Sequence, residues 1–384
     1  MKYYIVAGEA SGDLHGSNLI KGLVQADPDA VFRFWGGDMM IAAAGARGEL
    51  VRHYKEASIM GYWEVLKKLR RVLGQMEFCR RDIAAWQPDV LIMIDYPGFN
   101  LRMAEFAKKN GILSYYYIAP KVWAWKESRV KKLRKYVDRL FVIFPFEIEY
   151  FRRHGIEAYY AGNPIMDSIA ERKAASGKTF EQFCAENGLN GKPVVALVAG
   201  SRTHEIDHNL PVMAEVSRRF PDLQFVVTGV SWLPRSLYNK YLSGSDVAYV
   251  CDKTYETISF SAAALVTSGT ATLETALLNI PEVVCFRGPA LSMWIAYRLV
   301  KLRFISLVNL VMDREVVREL IQKDFTVEAA ASELAAVMPG GVKHEKIMSD
   351  YLALAEVVGS AGASERIAAG MVGFLKEDLK NEER

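Results

Sequence analysis

The stretch AGSRTHEIDHNL, residues 199–210, holds two chemistries that exclude each other. His204-Glu205-Ile206-Asp207-His208 matches H-E-x-x-H, in which two histidines on one helix face bind zinc and the glutamate acts as base. Ala199-Gly200-Ser201-Arg202 has the form of a small-residue turn after a strand, ending in a cation whose fork of N–H donors suits a diphosphate. Zinc needs a third ligand, and no further His or acid stands at a suitable spacing. It also needs an unbroken helix, which Asn209-Leu210-Pro211 is expected to interrupt. The phosphate reading is preferred, with Gly200, Ser201 and Arg202 as anion contacts and no metal.

Three other stretches carry related chemistry. Gly8-Glu9-Ala10-Ser11-Gly12-Asp13 precedes Leu14-His15-Gly16 at a helix start, where small residues admit a ligand to the backbone and unpaired N–H groups favour an anion. Ser11, Gly12 and Asp13 are the candidate contacts, unless Ser11 or Asp13 merely caps a tight turn. No G-x-G-x-x-G and no Walker lysine point to a dinucleotide or ATP. In Ile94-Asp95-Tyr96-Pro97-Gly98-Phe99-Asn100, an aspartate ends an apolar run before a rigid turn. A carboxylate so placed can take a proton from an attacking hydroxyl; otherwise Asp95 caps a helix starting near Asn100. Glu9 and His15 are the next candidates for that base. Ser268-Gly269-Thr270-Ala271-Thr272-Leu273-Glu274 offers a phosphate nest at a helix start, with Glu274 one turn further in, within reach of a ribose diol. A capping pattern alone would also explain Thr270 to Glu274.

The elements that must position these residues alternate short apolar runs with amphipathic ones, the pattern of β-α-β units and parallel sheets. Strands are expected at 3–7, 31–35, 90–94, 113–118 and 140–144, then at 194–199, 224–228, 247–251, 264–267 and 282–286. The pattern breaks near Gly162-Asn163-Pro164, which divides the chain into 1–165, 166–345 and a helical tail, 346–384. The architecture expected is two Rossmann-like domains facing across a cleft, with ligands at the carboxyl ends of the strands.

Bulk properties fit that picture. The chain has 384 residues, 51% hydrophobic and 24% charged, with a net charge of only +3, so a dedicated nucleic-acid binder is not indicated. Four scattered cysteines without C-x-x-C read as reduced thiols. No signal-peptide pattern and no membrane-spanning apolar run stand out, so a cytoplasmic location is expected.

Together these loops resemble the lipid-A-disaccharide synthase family, bacterial inverting glycosyltransferases of the GT-B type. The motifs are GEASGD at 8–13, MGYWEVL at 60–66, IDYPGFN at 94–100, VWAW at 122–125, FPFE at 144–147, GSRTHEI at 200–206, SGTATLE at 268–274 and SLVNL at 306–310. The resemblance implies transfer from UDP-2,3-diacylglucosamine to 2,3-diacylglucosamine 1-phosphate, giving a β-1,6 disaccharide and UDP. It implies Asp95 as base, Arg202 as diphosphate contact, Glu274 as ribose contact and Asn309 as a functional asparagine near the nucleotide. It also implies a C-terminal helix packed back on the N-terminal domain, and it is compatible with an oligomer. The chain departs from the family pattern at Gly98, Ala262 and Val308. A UDP-N-acetylglucosamine 2-epimerase, or another GT-B enzyme, is the rival reading.

One inverting displacement needs no enzyme nucleophile, and no D-x-D motif stands near a strand end, so neither cofactor nor metal is expected. Acylated substrates call for a membrane-facing surface. In residues 61–81, Val65, Leu66, Leu69, Val72, Leu73 and Met76 form a helical stripe flanked by Lys67, Lys68, Arg70 and Arg71. That composition suits peripheral attachment to the anionic inner face of the bacterial inner membrane; packing on the sheet is the plain alternative. The basic run 129–135 reads as a solvated helix face, without nucleic acid. Trp123 and Trp125 line either a sugar or acyl surface or the core.

Overall fold

The computed structural model describes residues 1–57, 65–123, 128–175, 177–289 and 303–382, with the side chains of 57, 65–71 and 382 left out. The chain forms two compact units, Met1–Asp167 with Ser360–Arg384, and Ser168–Gly359.

The first unit is built on seven strands: β1 (Lys2–Ala7), β2 (Val31–Gly36), β3 (Gly48–His53), β4 (Val90–Ile94), β5 (Leu113–Tyr117), β6 (Arg139–Val142) and β7 (Ala158–Tyr160). They pair in the order β3-β2-β1-β4-β5-β6-β7, all parallel. Along β1, Tyr3, Ile5 and Ala7 enter one core and Tyr4 and Val6 the other. Both faces are covered, which is why these strands read as unbroken apolar runs.

The second unit holds β8 (Val194–Val198), β9 (Gln224–Gly229), β10 (Ala248–Cys251), β11 (Ser261–Thr267), β12 (Glu282–Phe286) and β13 (Glu319–Ile321). Their order is β10-β9-β8-β11-β12-β13, again parallel. The ten expected strands are present; β3, β7 and β13 were not foreseen. β3 is half-exposed along its length, and β7 and β13 have three residues each, too few to carry a periodic signal.

Each sheet reverses its direction of growth once, between β1 and β4 and between β8 and β11. Loops leaving the strands at such a switch diverge and leave a crevice. Gly8–Glu9, Asp95–Tyr96, Ala199–Arg202 and Ser268–Gly269 are those loops.

Two expectations are corrected here. Pro211 does not interrupt its helix, which runs Thr203–Ser217. An interior proline costs about 3 kcal/mol, but this helix fully buries Ile206, Leu210, Met213 and Val216, each worth about 1.5–3 kcal/mol. The tail 346–384 does not stay together. Helix His344–Val358 lies in the second unit and helix Ala363–Glu382 in the first. There Ile367, Ala368 and Met371 share a core with Leu19, Ile20 and Leu23 of helix Ala10–Ala26. The two helices meet at Gly22, where a Cβ would lie 2.8 Å from that of Ala368. Asp167 caps the last helix, accepting the N–H groups of Gly362, Ala363 and Ser364 at 2.6, 3.0 and 2.8 Å.

Candidate active site

In the first unit the site is built around Asp95. The chain leaves β4 with φ of +44° at Asp95 and +47° at Tyr96. Two successive non-glycine residues in the left-handed region each cost about 1–3 kcal/mol and persist only where the surroundings hold them. Asn100, fully buried, does so by donating to the carbonyls of Val6, Ile94 and Asp95 at 3.3, 3.2 and 2.8 Å. The Tyr116 hydroxyl adds a 2.6 Å bond to the Asp95 carbonyl. Gly8 makes room for the Tyr96 ring, which a Cβ would approach within 2.4 Å.

The helix begins at Pro97 with Tyr96 as its N-cap residue, one turn before Asn100. Burial pushes the Asp95 carboxyl above its ordinary value, and the Glu9 charge pushes the same way; Lys121 and Arg129 oppose them. A carboxylate raised in this way is better matched to proton abstraction near neutrality. Glu9 is exposed at the N-cap of helix Ala10–Ala26. Burial takes His15 down to about 4, leaving a neutral, weakly basic imidazole that is a poor substitute for Asp95. Gly98 faces open space, so its departure from the family pattern displaces nothing.

The glycine loop differs from expectation at Asp13. Its buried carboxylate accepts the N–H groups of Gly37, Met39 and Met40 at 2.7, 3.2 and 3.1 Å. It therefore caps helix Asp38–Ala44 and is not free for a ligand. Gly12 packs on Ala7, so of Ser11, Gly12 and Asp13 it is Ser11 that is exposed. No side chain caps helix Ala10–Ala26.

In the second unit, Gly200 turns the chain out of β8 at φ +115°. The backbone N–H groups of Ser201 and Arg202 are already taken: Glu205 accepts them at 2.8 and 3.2 Å, filling the place expected for an external anion. Arg202 itself is 73% exposed, with Glu205 4.0 Å away. The guanidinium is thus the group at this turn that stays exposed to solvent. His208 turns its Nδ1 onto the His204 carbonyl at 2.6 Å, and among the described residues no group of three or more His, Cys, Asp or Glu could hold a metal ion.

At the second switch loop, helix Thr270–Leu277 starts at exposed Gly269 with no side-chain cap, so its first N–H groups can meet an anion. The Ser268 hydroxyl is engaged, donating to the Ile305 carbonyl at 2.8 Å. Glu274 pairs with Arg172 at 2.9 Å; burial raises its carboxyl and Arg172 pulls it down. Arg172 also lines a cleft of about 500 Å³ with Lys178, Trp232, Asp252, Tyr255 and Glu256. The Trp232 indole donates to the Ser201 carbonyl at 3.1 Å, which joins this cleft to the Arg202 turn. Arg172, Trp232 and Tyr255 carry no local sequence signal; Arg172 meets its partner across 102 residues.

Asn309 is corrected too. It is fully buried, donates to the Val317 carbonyl and Glu319, and accepts the N–H groups of Val316 and Val317. No polar atom is left for a nucleotide. Glu319 in turn binds the N–H groups of Ile305 and Ser306, so Asn309 supports the segment on which Ser268 rests.

The expected membrane stripe is split. On helix Val65–Trp86, Met76 is 3% exposed and Val72 packs beside it in the core, while Leu73 is 51% exposed. Phe78, not foreseen, is 43% exposed. The side chains of Val65, Leu66 and Leu69 lie outside the described residues. Among the described residues no helix is long and apolar enough to cross a membrane.

Two parallel, helix-covered sheets in one chain define the GT-B class of fold. Solved structures share it: UDP-GlcNAc 2-epimerase from Neisseria meningitidis bound to UDP-GlcNAc has a TM-score of 0.65 at 13% identity, covering 97% of this chain and 100% of that one. A UGT transferase from Siraitia grosvenorii in complex with UDP gives 0.62 at 12%, covering 98% and 99%. Sequence narrows the class. A family model described as Lipid-A-disaccharide synthetase matches residues 3–369. The lipid-A-disaccharide synthase of Geobacter metallireducens is 37% identical over 378 residues, 97% of this chain and 96% of that protein. That of Syntrophus aciditrophicus is 35% identical over 381 residues, 97% of each. The chain belongs to the lipid-A-disaccharide synthase family.

Proposed function

We propose that this enzyme transfers a 2,3-diacylglucosamine unit from its UDP derivative to the 6-hydroxyl of 2,3-diacylglucosamine 1-phosphate, giving the β-1,6 disaccharide 1-phosphate and UDP. Family membership supplies the substrates; the observation that carries the mechanism is Asp95, held in a left-handed turn with a raised carboxyl. Asp95 takes the proton of the attacking hydroxyl. Arg202 and the uncapped start of helix Thr270–Leu277 receive the charge that grows on the departing diphosphate, and Glu274 binds the ribose. One displacement at the anomeric carbon inverts it, with no covalent intermediate and no metal required. The enzyme works peripherally on the inner face of the inner membrane, and Leu73 and Phe78 of helix Val65–Trp86 are exposed apolar side chains that suit such contact.

A 2-epimerase reading has the fold in its favour, but the relatives at 35–37% identity are synthases. The test is incubation of purified protein with UDP-diacylglucosamine and diacylglucosamine 1-phosphate, followed by mass spectrometry. Disaccharide that forms only with both substrates supports the proposal; conversion of a UDP-sugar without acceptor supports the epimerase.

A further inference from the structure

Glu147 takes no part in the chemistry above. It lies in the first turn of helix Phe146–Arg153, is 1% exposed, and burial pushes its carboxyl up to about 7. Burying a carboxylate is costly unless its oxygens are satisfied. Here they accept the Trp123 indole N–H at 3.0 Å and the backbone N–H groups of Ile143 and Phe144 at 3.2 and 3.0 Å. Glu147 thus ties the loop after β5 to the loop after β6. The half-buried Trp123 ring meets Phe146 edge-on at 5.1 Å, and Phe146 stacks on Phe144 at 5.5 Å.

That wall stands on the strands next to Asp95. β5 neighbours β4, and β6 neighbours β5. Lys121, two residues before Trp123, acts electrostatically on both Asp95 and Glu147. A fixed aromatic face beside a base is what a sugar ring needs in order to present one hydroxyl, since apolar and aromatic surface supplies contact while a few polar groups set orientation.

We infer that Glu147 is a positioning residue that, through Trp123, holds the aromatic wall on which the acceptor's sugar ring packs beside Asp95. This rests on the transferase reading above.

The test is steady-state kinetics with varied acceptor, alongside UDP calorimetry. Glu147→Gln keeps the shape but turns one acceptor atom into a donor, so one N–H group loses its bond. The acceptor KM should rise about tenfold, the worth of one buried hydrogen bond, with kcat little changed and UDP affinity as in the parent. Trp123→Phe should raise the same KM, and the double variant should be no worse than Glu147→Gln alone, because both act through one contact. Additive effects would mean that Glu147 acts through the 143–144 backbone only and would overturn the inference, as would a parent-like KM in Glu147→Gln. Should that variant fail to fold, Trp123→Phe decides: a parent-like KM overturns the inference and a tenfold rise upholds it. A parent protein without turnover refutes the transferase reading and this inference with it. A parent that turns over, with KM unmoved in the variants, refutes this inference alone.

Discussion

Arg172 Nη1 donates to Glu274 Oε1 at 2.9 Å, joining the helix Ile165–Ala175 to the helix Thr270–Leu277 that follows β11. Burial, the larger influence, raises the carboxyl proposed for the ribose, and the Arg172 cation opposes it. Arg172→Met removes the opposing influence, so Glu274 stays protonated to higher pH. UDP affinity should fall about tenfold near neutral pH, as expected for a lost charged hydrogen bond, and recover as pH rises and the carboxyl ionises. Calorimetry at several pH values checks this; a weakened affinity that does not change with pH would assign Arg172 a direct contact instead.

Arg202 and Glu205 should respond in opposite directions. Arg202→Ala loses the exposed guanidinium and should weaken UDP by about 1.5–3 kcal/mol. Glu205→Gln keeps a carbonyl oxygen for the Ser201 and Arg202 N–H groups, as a capping box allows, and removes a negative charge beside the diphosphate. UDP should then bind several-fold more tightly. Weaker binding would mean that the Glu205 charge is needed to hold the turn.

Asp95→Asn should leave UDP affinity intact and slow turnover by about 10²–10⁴-fold. The base must be ionised, so the parent's kcat/KM should fall as pH drops through the Asp95 value, which burial raises above that of an ordinary aspartate. A variant turning over at the parent rate would leave Asp95 as a turn former.

Membrane contact is tested where the apolar surface is exposed. Leu73→Ser with Phe78→Ser should lower binding to anionic vesicles while leaving UDP affinity unchanged, and high salt should loosen the parent by screening the basic flank. Met76→Ser is the contrasting variant, expected to reduce the unfolding midpoint because Met76 is core. Parent-like sedimentation with vesicles by the Leu73/Phe78 pair would assign this helix to packing alone.

Glu282 gives a stability prediction. It opens β12 fully buried, with no hydrogen-bond partner for either carboxyl oxygen among the described residues. Burial and the nearby Glu319 hold its carboxyl well above 4.5. Above that ordinary value the unfolded chain has released the proton while the folded one retains it, so folding stability declines as pH rises. Glu282→Gln removes the penalty. Its urea midpoint should exceed the parent's at pH 7–8, and the gain should shrink toward pH 4; a gain independent of pH would point to packing instead.

The loops after β1, β4, β8 and β11 were legible in the sequence because each is local: a strand end, a turn and a helix start within about ten residues, read from short-range periodicity. The same locality made Asp95 visible. What each polar group does there was not legible. Asp13 caps a neighbouring helix instead of meeting a ligand, and Asn309 is buried with its amide spent on Glu319 and the 316–317 backbone. Both find their partners through the fold, and a polar side chain that can satisfy a buried amide does so before it meets a ligand.

The sequence by itself determined the α/β class, ten of the thirteen described strands and the family, since hydrophobic periodicity and motif order survive without coordinates. Only the tertiary structure decided which carboxylates are free. Glu205 fills its own turn, Glu274 is matched to Arg172 from a helix far along the chain, Glu147 is buried and bonded to Trp123, and Asp95 is raised at the end of β4. The reason is physical: a carboxylate's role is set by its desolvation and by the donors that reach it, and those come from residues that sequence distance does not reveal.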